Sequence, residues 1–136
     1  HAGASIASNF LVTLAKMGVA CLVQGGLSPA EAKQGLVSLM QGTLNNLSEL
    51  SPEGALTGPI VRGDLVTVSR HLEALEQLPH LLPAYLALGR LTADLAWEAG
   101  PLETEEYQKM VEVLEKGGFS NGKSDSSHPE GKKETG

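Results

Sequence analysis

Residues 28–50 read SPAEAKQGLVSLMQGTLNNLSEL and carry the clearest helix signal in the chain. Ser28 is typical of an N-cap, Pro29 fits the first helical position, and Glu31 stands three residues after the serine, as in a capping box. Apolar side chains then recur at helical spacing until Ser51-Pro52-Glu53-Gly54 breaks the pattern. This stretch therefore predicts one amphipathic helix.

The segments on either side of this helix also have helical patterns. Upstream, residues 2–24 are apolar on nearly every side and end at Gly25-Gly26, which predicts a helix buried against several neighbours. Three more helix starts follow downstream, at Asp64, between Pro79 and Pro83, and at Thr104-Glu105-Glu106. The apolar faces predicted for the first and third of these helices are Leu65, Val68, Leu72 and Leu75, and Tyr107, Met110, Val111 and Leu114. The second helix is marked by Tyr85, Leu88, Thr92 and Leu95. With no alternating strand pattern, we expect an all-α bundle of about five helices.

The composition fits one helical domain followed by a tail. Apolar residues make up 41% of the 136 residues and aromatic residues only 4%, so the core must be built from Leu, Val, Ala and Met. From Gly117 onward the sequence is rich in Gly, Ser, Lys and Glu, and Phe119 is its only large apolar residue. Such a segment cannot bury enough surface to offset the entropy of ordering it. We predict a helical domain over residues 1–116 and a disordered tail over residues 117–136.

Charge, cysteine content and hydropathy argue against several classes of protein. The net charge of −6 lies in the body of the chain, whereas a nucleic-acid binder needs a basic face. Cys21 is the only cysteine and lies in an apolar run, so we expect a buried thiol in a reducing, cytoplasmic compartment.

The N-terminus lacks the basic segment of a signal peptide. The apolar run over residues 10–23 contains Lys16 and is too short for a membrane span. The chain begins with His1 inside a predicted helix, so we expect it to be part of a longer protein.

A polar stripe marks the start of the first helix. At 100° per residue, His1, Ser5, Ser8 and Asn9 fall on one side of it. These side chains either face solvent or a neighbouring loop, or they face a cleft shared with a preceding domain.

The loop from Thr57 to Asp64 is the second concentration of polar groups. Gly58-Pro59 is a turn dipeptide, and Arg62 offers a planar fork that suits a carboxylate or phosphate. Alternatively, Arg62 only pairs with an acidic neighbour such as Asp64, and Asp64 only caps the next helix. We expect Asn45 and Asn46, near the end of the second helix, to meet the same cleft as the stripe. The chain has no metal-ligand spacing and no GxGxxG turn, so we predict no metal-binding or cofactor-binding residue and no complete active site.

Several stretches together resemble one family. They are HAGASIASNFLV at residues 1–12, QGTLNN at residues 41–46, ALTGPIVRGD at residues 55–64 followed by Thr67 and His71-Leu72, and YLALGR at residues 85–90. They span about residues 1–98 and are similar to the helical domain of an uncharacterised family of Rossmann-like NADP oxidoreductases. The Thr-Gly-Pro and Arg-Gly-Asp block is the most specific part of this resemblance.

The resemblance implies a fold related to the C-terminal domains of 6-phosphogluconate dehydrogenase, β-hydroxyacid dehydrogenases and ketopantoate reductase. In those relatives a Rossmann domain holds NADP, while the helical domain covers the nicotinamide, contacts the substrate and usually forms the dimer. Their first helix carries a catalytic lysine with an asparagine four residues later. Asn9 matches that asparagine, whereas Ser5 stands at the lysine position. A serine cannot offer an ammonium group to a developing alkoxide, so the chain departs from the usual hydroxyacid chemistry.

We therefore expect a substrate-covering and dimerisation domain, with NADP held by a Rossmann domain outside this chain. Asn9 and Ser5 would be the catalytic residues that orient the reacting carbonyl or hydroxyl. The substrate-binding residues would be Arg62, Thr57, Ser8 and Asn45. Two other hypotheses remain open: a stand-alone helical interaction domain without activity, and a non-catalytic NADP sensor. The expected partners are a second copy of the chain, the Rossmann domain and a small-molecule substrate, and not nucleic acid or a membrane.

Overall fold

The computed structural model describes residues 1–119, which form six helices and no strand. The helices are α1 (Ala2–Gln24), α2 (Pro29–Glu49), α3 (Pro52–Ala55), α4 (Leu65–Leu75), α5 (Leu82–Glu98) and α6 (Thr104–Phe119). The all-α prediction is confirmed. The additional helix is α3, because Ser51 caps a single turn where the sequence predicted only a break.

The predicted helix ends are confirmed where local chemistry sets them. Ser28 and Glu31 form the capping box of α2: the Ser28 hydroxyl accepts from the Glu31 backbone N–H, and the Ser28 N–H donates to the Glu31 carboxylate at 3.0 Å. Asp64 caps α4 by accepting from the Thr67 backbone N–H at 3.0 Å. Gly26 follows α1 with φ of 104°, a value that few residues other than glycine adopt.

The core lies among α4, α5 and α6, together with the loop that precedes α4. Its buried side chains are Val68, Ala93, Ala96, Leu102, Met110 and Leu114, with Leu56, Ile60 and Val61 packed against them. The apolar faces predicted for α4 and α6 are confirmed.

The residues that mark α5 in the sequence are not the ones that the helix buries most deeply. Leu88 is 42% exposed, and the buried positions are Leu82, Gly89, Ala93 and Ala96. The reason is close helix packing, because a Cβ atom at Gly89 would lie only 3.0 Å from Leu114 Cδ2 of α6. Small residues therefore line this contact, and the larger ones turn outward.

The first two helices form an antiparallel hairpin. Gly18 of α1 lies against Leu36 of α2, so closely that a Cβ atom there would be 2.8 Å from Leu36 Cδ1. Within residues 1–119, α1 has no buried residue and α2 buries only Ala32. The prediction that α1 is buried against several neighbours is therefore wrong, and Cys21 is exposed rather than buried. The physical reason is that α4, α5 and α6 complete their own core and leave most of α1 without cover.

Helix α1 is long and apolar enough to cross a membrane, judged by length and composition alone. It has 23 residues and a mean hydropathy of 1.8 over its most apolar 18 residues. The sequence prediction considered only the apolar run over residues 10–23, whereas the helix begins at Ala2. Core helices of soluble proteins and signal sequences share these properties, so the finding does not assign a membrane location.

Helix α6 continues to Phe119, so it includes the first residues of the segment that the composition assigned to the tail. Gly117 packs close to α4, where a Cβ atom would lie 2.8 Å from Leu72 Cδ1. This contact gives the end of α6 a partner that the composition of the segment did not indicate. The rest of the predicted tail, residues 120–136, lies outside the described residues.

Candidate functional site

The head of α1 carries a hydrogen-bonded polar pair. Asn9 Nδ2 donates to Ser5 Oγ at 3.3 Å, one helical turn away. The backbone from Ile6 to Phe10 is π-helical, a wider turn that is frequent at functional sites. Ser5 is half-buried and Asn9 is exposed, so the pair is accessible at the surface of the hairpin.

The other members of the polar stripe take no part in this pair. His1 and Ser8 are both exposed, and neither side chain forms a hydrogen bond with another residue in the described range 1–119. The stripe therefore provides one organised pair and two side chains open to solvent.

The loop before α4 is fixed by its backbone and by two apolar anchors. Asp64 N–H donates to the Pro59 carbonyl at 2.9 Å, and Gly63 N–H donates to the Ile60 carbonyl at 3.1 Å. Ile60 and Val61 pack against the core. Arg62 is the exposed residue that follows them, so the core holds its backbone while its side chain stays in solvent.

The structure separates the roles of Arg62 and Asp64. Both carboxylate oxygens of Asp64 accept from Thr67, Oδ1 from the backbone N–H and Oδ2 from the hydroxyl at 2.7 Å. These bonds, the hydroxyl bond first, hold the pKa of Asp64 below its usual value of 3.8, and the charges of Arg62 and Arg70 add a smaller effect. Asp64 is thus the predicted cap. Arg62 forms no ion pair among residues 1–119, so the alternative in which it pairs with Asp64 is wrong.

The topology brings part of the predicted site to one end of the hairpin. Asn9 and Asn45 each lie about 15 residues from the turn between α1 and α2, or ~23 Å along either helix axis. Helix α3 packs on α2 and leads directly into Thr57, so the loop starts near the same end. No hydrogen bond joins Arg62 or Thr57 to Ser5, Asn9 or Asn45 in the described part of the chain. The predicted residues therefore share a region without forming a closed network.

One comparison with known proteins finds a match. A family model described as a domain of unknown function, DUF2520, matches residues 1–92. The chain belongs to the DUF2520 family. The matched region holds the hairpin, the loop before α4 and most of α5, and with them every residue of the predicted site. No curated protein and no solved structure matches the chain.

Sequence reasoning missed one polar network of this DUF2520 chain, between α5 and α6. Asp94 Oδ1 accepts from Arg90 Nε at 2.9 Å and from the Tyr107 hydroxyl at 2.7 Å. The Tyr107 ring stacks on Trp97, with centroids 4.9 Å apart. The spacing of Arg90 and Asp94 is a helical i,i+4 signal, but the reach of Tyr107 from the next helix has no signal in the sequence.

The polar groups of this network satisfy one another's hydrogen bonds and charges. The bonds from Tyr107 and then Arg90 lower the pKa of Asp94, and donation to Asp94 raises the pKa of Tyr107. Since each charge has its partner within the network, we interpret it as a joint between two helices and not as a binding site. No group of three or more His, Cys, Asp or Glu side chains suited to a metal ion occurs among residues 1–119.

Proposed function

We propose that this chain is the C-terminal helical domain of an NADP-dependent oxidoreductase, where it covers the active-site cleft and mediates dimerisation. The observation that carries the proposal is the head of α1. There the Ser5–Asn9 pair stands on a helix that leaves large apolar side chains exposed within residues 1–119, among them Ile6, Phe10 and Val12. A polar pair on an uncovered apolar helix fits a surface that another domain or subunit closes.

The pair has hydrogen-bonding capacity left for a substrate. Ser5 Oγ accepts from Asn9 Nδ2, which leaves the Ser5 hydroxyl proton and the Asn9 Oδ1 atom to bond a ligand. One donor and one acceptor suit a substrate that changes between carbonyl and hydroxyl. Without the lysine of the hydroxyacid dehydrogenases, the pair would orient the reacting group and would not supply an ammonium proton.

Arg62 would bind an anionic part of the small-molecule substrate. Its guanidinium has five N–H donors and no ion-pair partner in the described chain. The loop that carries it is anchored in the core, so little ordering is needed when a ligand arrives. Thr57, Ser8 and Asn45, all exposed, would add hydrogen bonds.

The proposal also includes the NADP cofactor and the domain that would hold it. NADP would be held by a Rossmann domain outside this chain, as the resemblance to 6-phosphogluconate dehydrogenase C-terminal domains implies. That domain and a second copy of the chain would cover the exposed apolar side chains of the hairpin. We place the protein in the cytoplasm, where its single thiol needs no disulfide partner.

A stand-alone interaction domain is the second candidate, and the apolar surface of the hairpin favours it. Eleven large apolar side chains of α1, α2 and their flanks are exposed: Ile6, Phe10, Val12, Leu14, Val23, Leu27, Val37, Leu39, Leu44, Leu47 and Leu50. Such a surface is typical of protein–protein contacts. Both candidates require a partner for it, but only the oxidoreductase requires NADP.

Titration of the full-length protein with NADPH distinguishes the candidates. The proposal expects saturable binding, followed by oxidation of NADPH when carbonyl compounds are added. Binding without turnover over a broad carbonyl panel would indicate the NADP sensor. A folded, dimeric full-length protein that binds no NADPH would contradict the proposal and favour the interaction domain.

A further inference from the structure

A cavity of about 490 Å³ lies between the end of the hairpin and the α4–α5 region. Cys21 and Gln24 of α1 line one side, and Ala74 and Leu78, in and just after α4, line the other. Its volume is within the range of about 300–1,000 Å³ that is usual for small-molecule sites. Cys21 is 12 residues from Asn9, or ~18 Å along α1, so this cavity is separate from the candidate catalytic pair.

One hydrogen-bonded pair interrupts the mainly apolar wall. His71 Nδ1 and the Tyr85 hydroxyl oxygen lie 2.9 Å apart, and their rings meet edge to face with centroids 6.0 Å apart. Both residues line the cavity. Burial raises the pKa of Tyr85, so its hydroxyl is protonated at neutral pH.

The Tyr85 hydroxyl keeps bonding capacity in either arrangement of this pair. If the hydroxyl donates to His71, its oxygen still accepts a second bond; if His71 Nδ1–H donates, the hydroxyl proton is still available. A ligand hydroxyl fits both cases, because it donates and accepts. A ligand with only a carbonyl or only an N–H group fits one of them.

We propose that this cavity binds a small, mainly apolar molecule that carries one hydroxyl group. The apolar body lies against Ala74, Leu75 and Leu78, and the hydroxyl bonds Tyr85. Because the walls come from α1 as well as from α4 and α5, the bound molecule ties the hairpin to the core. The inference is independent of NADP and of the Ser5–Asn9 pair.

The first test compares two probes of nearly the same shape. 2-Naphthol carries the hydroxyl, and 2-methylnaphthalene has a methyl group in its place. Calorimetric titration of the protein should give tighter binding of 2-naphthol by roughly 2- to 12-fold, the worth of one hydrogen bond. Tyr85→Phe should remove this preference and leave the affinity for 2-methylnaphthalene unchanged.

The second test locates the bound probe. Ala74→Phe places a ring at the cavity rim and should abolish binding of both probes, whereas Ala87→Phe, the same change at an exposed position of α5 outside the cavity, should not. Bound 2-naphthol should also slow alkylation of Cys21 by iodoacetamide. The proposal is overturned if neither probe binds, if Ala74→Phe binds as well as the parent protein, or if Cys21 is not protected. The last two results would place the probe on the exposed hairpin.

Discussion

The hydroxyl group of Tyr107 in α6 donates a 2.7 Å hydrogen bond to Oδ1 of Asp94 in α5. Arg90 donates to the same oxygen from one turn earlier in α5. On the inner side of the same pair of helices, Gly89 lies against Leu114. The contact between α5 and α6 thus combines close apolar packing with a polar joint at its edge.

Replacing Tyr107 with Phe should weaken this joint without disturbing the stack on Trp97, because only the hydroxyl is lost. We expect Tm to fall by roughly 2–8 °C, the scale of one or two hydrogen bonds in a small domain. Thermal unfolding followed by circular dichroism measures the change. In an Asp94→Ala background the same substitution should lower Tm by less, because the carboxylate that accepts the Tyr107 hydrogen bond is already absent. An equal fall in both backgrounds would show that the hydrogen bond contributes nothing.

The joint should also make the stability depend on pH. The folded-state pKa of Asp94 lies below the usual 3.8, so its contribution is complete above the unfolded pKa and is lost as the pH falls through the folded value. Urea unfolding at a series of pH values should show the free energy of unfolding decreasing below about pH 5. In the Asp94→Asn variant, the free energy of unfolding should decrease less over the same pH range. Curves of identical slope for the two proteins would contradict the assignment.

The core makes a simpler prediction. Met110 has no exposed surface, so Met110→Ala should leave a cavity and lower the free energy of unfolding by about 2–5 kcal/mol. The matched control is Gln108→Ala, an exposed position of the same helix, which should change it by less than about 0.5 kcal/mol. Chemical denaturation measures both. Similar losses for the two variants would mean that α6 does not pack as described.

Local chemistry explains which parts of the fold were predictable from the sequence. Ser28 and Asp64 were predicted as caps because each bonds a backbone group three residues away. Val68 and Met110 were predicted as core because large apolar residues at helical spacing are usually buried. Gly89 was missed because the closeness of two helices, which selects small residues, depends on a partner far away in the sequence.

The candidate site also has some features that were predictable from the sequence and others that were not. The Ser5–Asn9 pair was predictable, since residues four apart meet on one side of a helix. The unpaired state of Arg62 was not, because it depends on Thr67 occupying both oxygens of Asp64. The exposure of Cys21 was missed for a different reason. Its environment is set by what covers α1, and that cover is not within residues 1–119.

The exposed hairpin predicts a dimer that a single charge disrupts. Leu39 in α2 is 68% exposed, so Leu39→Glu should not unfold the chain. It should weaken self-association by at least roughly tenfold, because the free energy gained by burying one leucine side chain at the interface is lost. Gln34→Glu adds the same charge about 140° around the helix and serves as the control. Sedimentation velocity over a concentration series measures both. A monomeric parent protein, or equal weakening by the two variants, would contradict dimerisation through this face.

The proposed oxidoreductase predicts different kinetic effects for the two parts of the site. Asn9→Ala in the full-length protein should lower kcat by on the order of 10²-fold, because the Ser5 hydroxyl loses its hydrogen-bond partner and the substrate loses an acceptor. Arg62→Ala should instead raise KM by roughly 10- to 100-fold, because it removes a charged contact made before and during the reaction. Steady-state oxidation of NADPH measures both, and the affinity for NADPH should not change.

Two exposed positions provide matched controls for these variants. Gln34 is an exposed amide in α2, and Arg70 is an exposed arginine in α4; neither belongs to the proposed site. Gln34→Ala and Arg70→Ala should leave kcat and KM close to those of the parent enzyme. If Asn9→Ala and Arg62→Ala behave like these controls, the site residues are wrong even if NADPH binds. If Arg62→Ala lowers kcat and leaves KM unchanged, Arg62 acts on the transition state, and its role as the anchor of a substrate anion must be abandoned.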